Sequence, residues 1–297
     1  MIQVFTIGGY SEVGKNMTAI KVDDEIIILD MGLYLPAVLE YEEGDPHDLT
    51  TKDLVKIGAI PDDSILQEYR DNVKAIILGH CHLDHIGATQ YLALHYNCPI
   101  IGTPYTLEVL KNIIEENNQI IPRLKQLNYN SSLQITENIK IEFINITHST
   151  LQTVLVVLHT KYGLIVYAND FKLDNHPTIG KKPNYERLEK LSENCILLIM
   201  DSLYSNLETK TPSEKVAKEM LKDVMLGIQN KDNAIIVTTF SSHIARLKSI
   251  IEFGKMLNRK IVFFGRSLFN YVKAAEKLDL ANFNDVELVG FRSKVKK

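Results

Sequence analysis

Short apolar runs punctuate the first two hundred residues. Glu25-Ile26-Ile27-Ile28-Leu29-Asp30 and Val73-Lys74-Ala75-Ile76-Ile77-Leu78 are β-branched and continuous, the form of strands covered on both faces. Further runs at 139–147, 153–160, 163–168 and 196–200 predict more strands, and the 196–200 run also reads as buried. Lys161-Tyr162-Gly163 interrupts two of them as a hairpin turn would. Glu40 to Asp63 is polar, acidic and without period, and reads as a solvated surface loop.

Beyond about residue 205 the rhythm changes. Pro212-Ser213-Glu214 suits the first turn of a helix. A strand at 234–239, a helix after Ser242, a strand at 261–264 and a helix after Arg266 follow, which is the order of βαβ units and a parallel sheet. The reading is therefore an α/β chain in two parts, 1–205 and 206–297.

Composition narrows this little. The chain has 297 residues, 45% of them hydrophobic and 24% charged, as in ordinary globular proteins. No apolar run is long enough to span a membrane, and the N-terminus lacks an export signal, so a cytoplasmic protein is expected. Cys81, Cys98 and Cys195 form neither a paired framework nor a Cys-x-x-Cys clip, and read as small buried residues. A net charge of −4 speaks against indiscriminate nucleic-acid binding but leaves room for one basic face.

Chemistry concentrates at residues 80–85, His-Cys-His-Leu-Asp-His, directly after a buried strand. In extended geometry His80 and His82 project to one side and Cys81 to the other. A turn then brings Asp84 and His85 beside them, with a helix beginning near Ile86. Imidazoles and carboxylates without thiolates suit catalytic zinc, which keeps a position open for water. Asp30, His148 and Asp170 each follow a predicted strand, where functional groups of layered α/β proteins sit.

Residues 80–85 match the His-x-His-x-Asp-His signature of the metallo-β-lactamase superfamily, with Asp30, His148 and Asp170 at its other motifs. Asp170-Phe171-Lys172-Leu173-Asp174, the segment 180–187, Asp201-Ser202-Leu203-Tyr204, Thr238 to His243 and Gly265-Arg266-Ser267-Leu268 narrow the likeness, which spans essentially the whole chain. Together they resemble the archaeal ribonuclease J group, which inserts an RNA-gripping β-CASP domain into the lactamase fold.

The resemblance implies an αβ/βα sandwich with a partial β-CASP domain, and two Zn2+ ions. One ion would be held by His80, His82 and His148, the other by Asp84 and His85, with Asp170 bridging and Asp30 orienting ligands from behind. It places Asp84, Asp170 and Asp201 among the catalytic carboxylates, Asp201 near a proton-transfer group. Ser241, Ser242, His243, Arg266 and Ser267 would grip RNA phosphates, although Ser242 and Ser267 also suit ordinary helix caps. Two zincs about 3.5–4 Å apart would activate water for hydrolysis of an RNA phosphodiester, leaving a 5′-phosphate. His47, His95, His159 and His176 fall outside this set and read as structural or surface residues. Lys181 and Lys182 read as a solvated basic pair that could also face RNA.

Three departures stand out. Leu151 replaces a frequent proline, Asn169 stands where glycine is usual, and the sequence ends at Lys297 inside the β-CASP region. In the family the remainder carries two further histidine motifs, one of them a ligand of the second zinc, and His243 is no obvious substitute. A complementing C-terminal fragment or a second copy of the chain is therefore expected. The competing readings are a weak or inactive RNA-binding subunit, and another hydrolase on this scaffold such as a DNA nuclease or small-substrate phosphodiesterase.

Overall fold

A computed structural model describes residues 1–42, 49–117, 119–228, 233–284 and 286–289. Chain contacts divide it into one unit of Met1–Asn145, Gln152–Asn169 and Asn184–Asp201, and another of Ile146–Leu151, Asp170–Pro183 and Ser202–Lys297.

The first unit holds two sheets. In one, β1 (Ile2–Gly8), β2 (Met17–Val22), β3 (Glu25–Leu29), β4 (Val73–Ile77), β5 (Ile100–Gly102) and β6 (Leu124–Gln126) lie side by side in chain order. β1 to β3 are antiparallel and β3 to β6 parallel. In the other, β7 (Ser131–Gln134), β8 (Lys140–Asn145), β9 (Val154–Thr160), β10 (Gly163–Ala168) and β11 (Cys195–Met200) also run in chain order. β7 to β10 are antiparallel, and β11 pairs parallel to β10.

Alternate residues of the two sheets meet in one core. Ile27, Leu29, Ala75 and Ile77 from the first pack with Ile141, Phe143, Val156, Leu158 and Ile165 from the second. The intervening Ile26, Ile28 and Ile76 are equally buried on the other face, which is why β3 and β4 read as continuous apolar runs. Short α-helical segments among the connections of the first sheet are α1 (Leu35–Leu39), α2 (Thr51–Lys56), α3 (Leu83–Ile86) and α4 (Thr89–Leu92), with 3-10 turns at Asp63–Asn72 and Ala93–His95. A longer helix, α5 (Pro104–Glu116), packs on β5 and β6. The αβ/βα sandwich expected from the sequence is thus present.

Two expectations need correction here. Within 40–63, Thr50 accepts a hydrogen bond from the Asp53 backbone while Asp53 accepts from the Thr50 backbone, a reciprocal cap that starts α2. Residues 43–48 lie outside the described residues, His47 among them. The 196–200 run is not buried throughout: Ile196, Leu198 and Met200 are each more than half exposed along the edge strand β11. An apolar run reports what side chains prefer, not whether anything covers them.

Between β10 and β11 the chain forms α6 (Tyr185–Leu191), capped by Asn184. The second unit contains α7 (Glu214–Gly227), α8 (Ile244–Met256), β12 (Ile261–Phe264), α9 (Arg266–Lys277) and β13 (Val286–Val289). β12 and β13 pair in parallel across α9, the βαβ arrangement that the sequence predicts. Residues 234–239 form no strand among the described residues. Ile236 is 90% exposed and Phe240 81%, so this apolar run has neither ladder nor cover.

One buried polar network ties this unit together. Arg246 donates two hydrogen bonds of 2.9 Å to the Glu214 carboxylate, and His243 Nε2 lies 3.3 Å from it. The Glu214 backbone donates to Asp174, whose own backbone donates to Thr147 Oγ1. Burial alone would raise the Glu214 pKa, but the bonds from His243 and Arg246 outweigh it and hold the carboxyl down at about 2. A depressed carboxyl stabilises the fold above its ordinary value of 4.5, and that stabilisation fades as pH falls towards about 2. Urea unfolding at stepped pH checks this: wild type should lose stability progressively below pH 4.5, and Glu214→Gln should lack that component.

Candidate metal centre

Asp30 organises the site. The chain leaves β3 at this residue in a left-handed conformation, φ 58°, unusual for a residue other than glycine. That turn carries a fully buried carboxylate into the space between the sheets. Oδ1 accepts from the Gly79 backbone at 2.8 Å, and Oδ2 from the Tyr167 hydroxyl at 2.9 Å. The Asn169 amide lies 3.5 Å from Oδ2, and His85 Nδ1 only 2.7 Å. A carboxylate that accepts from these groups takes its hydrogen from His85 Nδ1, which leaves the lone pair of Nε2 facing outward.

The loop after β4 supplies the cluster. His80 and His85 are buried, and the His80 and His85 rings stand 4.1 Å apart. His80 Nε2 lies 3.0 Å from His82 Nδ1, so these two histidines do share a side, and Cys81 between them is buried in the core. His82 is the N-cap of α3, one turn that brings Asp84 and His85 together. Asp84 Oδ2 lies 3.3 Å from His85 Nε2. The helix starts at Leu83, earlier than the sequence suggests.

Gly79 has a specific reason to be glycine. A Cβ there would stand 1.7 Å from Asn169 Nδ2, so the Asn169 amide occupies the place a side chain would fill. Asn169 is itself buried.

In the other unit, the segments that follow β8 and β10 carry His148 and Asp170, and His148 Nε2 lies 3.6 Å from Asp170 Oδ2. Thr147 makes a β-bridge with Lys172 and a hydrogen bond to its carbonyl, which pins the two segments together. The ligand atoms of His80 and His82, and those of Asp84 and His85, stand as two close groups in the first unit, and His148 with Asp170 forms another within the second. Two ligands about 2.0–2.1 Å from one zinc at a tetrahedral angle stand about 3.3 Å apart. The separations of 3.0, 3.3 and 3.6 Å within these groups match that spacing, so the residues present fit a divalent ion.

The remaining candidates are placed as follows. Asp201 follows β11 and donates its backbone N–H to Ala168. Ser242 is buried in the turn before α8, but the cap of that helix is His243, whose Nδ1 accepts from the Arg246 backbone. Gly265, not Ser267, is the N-cap of α9, and Arg266 and Ser267 form its first turn. Ser241 lies in the same turn as Ser242. His95 bonds to Asp63, and His159 to Glu142, a structural role in both cases. His176, Lys181 and Lys182 are exposed.

Sequence reasoning missed Asn16 and Tyr167. The Asn16 amide reaches Asp84 and His85, and Tyr167 reaches Asp30 across 137 positions. Only the glycines flanking Asn16 hinted at a constrained segment, and nothing in the sequence marked Tyr167.

The description "Metallo-beta-lactamase superfamily" matches residues 11–183, and "Ribonuclease J, beta-CASP domain" matches residues 232–296. The chain is 46% identical to "Ribonuclease J" of Methanocaldococcus jannaschii, over 99% of this chain and 66% of that protein. It is likewise 46% identical to "Ribonuclease J" of Pyrococcus abyssi, over 94% of this chain and 62% of that protein. Against "Ribonuclease J 1" of Streptococcus pyogenes the identity is 35%, over 90% and 45%. The chain thus spans less than two thirds of the length of these curated relatives by a small or larger margin. A solved protein of unknown function from Enterococcus faecalis V583 shares the fold, with a TM-score of 0.65 at 17% identity over 97% of this chain and 73% of that one.

The Gly79–Asn169 contact makes a double-mutant prediction. Gly79→Ala should destabilise the chain by about 1–3 kcal/mol through overpacking. In an Asn169→Gly background the same change should cost less than half as much, measured by urea denaturation. Equal cost in both backgrounds would show that Asn169 does not set the limit at position 79.

Proposed function

This chain belongs to the metallo-beta-lactamase superfamily, and from that premise we propose that it acts as a two-zinc ribonuclease in the cytoplasm. The observation that carries the reading is the set of close donor pairs, His80 with His82 and Asp84 with His85 in the first unit and His148 with Asp170 in the second. His80, His82 and His148 would hold one ion and Asp84 and His85 the other, with Asp170 available to both. Zinc is favoured by the nitrogen and carboxylate donors. RNA as substrate is supported by the relatives that carry the name ribonuclease J. No described helix is long and apolar enough to cross a membrane.

When bound, the two ions supply an activated water and neutralise charge on the phosphodiester oxygens. The chain's own groups do the rest. Asp30 fixes the tautomer and direction of His85, and so where its lone pair points. Asp201, at the end of β11, positions a proton-transfer group. Ser241, Ser242, His243, Arg266 and Ser267 hold the RNA backbone, where the first N–H groups of α9 and the Arg266 guanidinium attract phosphate. His243 is also engaged with Glu214, so it serves by positioning its turn. Residues 1–205 act as the lactamase domain and 206–297 as a partial β-CASP domain.

Uncovered apolar rows support a complementing segment. Ile196, Leu198 and Met200 line the edge strand β11, and Val216, Met220 and Val224 form an exposed stripe along α7. Rows of this kind are covered in functional assemblies. A further segment or a second copy of the chain supplies the cover.

The test is cleavage of 5′-labelled RNA by the chain, alone and with a C-terminal fragment taken from a relative, alongside a count of bound zinc. Two zincs, cleavage abolished by chelation and a loss of at least about a hundredfold in His80→Ala and Asp170→Ala are expected. Rescue of a weak isolated chain by the fragment supports the complement. Full activity of the chain alone overturns the need for it, and cleavage that survives chelation overturns the metal reading.

A further inference from the structure

We infer that Asn16 is a positioning residue for the Asp84–His85 ligand pair, an inference that rests on the metal reading proposed above. Its amide nitrogen lies 3.0 Å from the Asp84 carbonyl, 3.5 Å from Asp84 Oδ2 and 3.2 Å from His85 Nε2. With Asp84 Oδ2 and His85 Nε2 3.3 Å apart, these three polar atoms form a nearly equilateral triangle. One side chain therefore spans the main chain of the ligand loop and both ligand atoms.

The backbone around Asn16 is built to hold it there. Asn16 N–H donates to the Asp84 carbonyl at 2.9 Å, and the Gly32 N–H donates to the Asn16 carbonyl at 2.9 Å. Glycines make the approach possible. A Cβ at Gly8 would meet the Lys15 carbonyl oxygen at 2.1 Å, and one at Gly9 the Asn16 Oδ1 at 2.3 Å. At Gly32 it would meet the Asp84 carbonyl oxygen at 1.6 Å and the Asn16 nitrogen at 2.7 Å. Lys15, just before Asn16, takes a positive φ of 39° to complete the turn. Gly9 thus leaves room for the carboxamide itself, while Gly8, Gly32 and the strained Lys15 let the backbone on either side of it pack closely.

The residue type suits the task. Asp84 is partly exposed, and a carboxylate on a flexible χ2 turns away from its neighbour unless a donor restrains it. An amide N–H supplies that restraint without positive charge, so it holds Asp84 Oδ2 and the His85 Nε2 lone pair by neutral hydrogen bonds that a divalent cation displaces more readily than a lysine ammonium. It holds the two ligand atoms at the spacing one tetrahedral cation requires. The side chain can be removed without breaking the backbone hydrogen bonds that fix the loop.

The experiment titrates the metal-free full chain with Co2+, followed by calorimetry and visible absorption, in wild type, Asn16→Ala, Asn16→Ser, Asp84→Ala and the Asn16→Ala/Asp84→Ala double variant. Asp84→Ala identifies the binding step that belongs to the pair. The inference expects Asn16→Ala and Asn16→Ser to weaken that step at least tenfold and to leave the other within threefold. In the Asp84→Ala background, Asn16→Ala should add nothing. Unchanged or tighter binding at the pair overturns the inference, and so does an equal loss at both steps with a lowered urea midpoint, which marks general destabilisation. Wild type that binds no Co2+ fails the metal reading itself, an outcome distinct from either.

Discussion

A single buried carboxylate holds the ligand edge of the sandwich together. Asp30 directly follows β3 of one sheet, Tyr167 and Asn169 lie at the end of β10 in the other, Gly79 follows β4, and His85 lies in α3. An ionised carboxylate away from water is tolerated only when donors surround it, and here donors arrive from three separate segments. The same bonds that make its burial affordable also fix His85. The left-handed backbone at Asp30 accompanies this inward placement, a strained turn that the surrounding hydrogen bonds sustain.

The rest of the edge depends on close approach. Asn169 fills the space over Gly79, the Asn16 carboxamide the space over Gly9, and the Asp84 peptide carbonyl the space over Gly32. Each contact replaces a missing side chain with an amide brought from elsewhere in the chain. In the other unit, Thr147 and Asp174 connect the segments bearing His148 and Asp170 to Glu214 at the start of α7. The ligand-bearing segments are therefore braced by polar groups on their far side as well as by the strands they follow.

What the sequence revealed follows the range of the forces involved. The ligands in residues 80–85 are neighbours in the chain, so their spacing exposed them, and β3, β4, β10 and β12 are short-period patterns readable in one window. The α9 crossover followed from alternation alone. Tyr167 was invisible because its partner is 137 positions away, and an aromatic in an apolar strand looks like core. Helix α2 was missed because its cap uses Asp53 rather than glutamate, inside a segment otherwise without period. The 234–239 run was misread because β preference needs a neighbouring strand to become a ladder, and the exposure of β11 because covering lies outside local pattern.

The long reach between Asp30 and Tyr167 also sets a timetable. His80, His82, Asp84 and His85 are adjacent as soon as they are synthesised, yet His85 lacks its full bracing until β10 has been made and docked. Closing a contact of that sequence separation is among the slow events of folding. An ion captured early would meet a loose histidine cluster, and an ion captured late a finished one. Under the two-ion proposal, uptake of metal would report completion of the sandwich, because His85 is fully braced only once Tyr167 is in place.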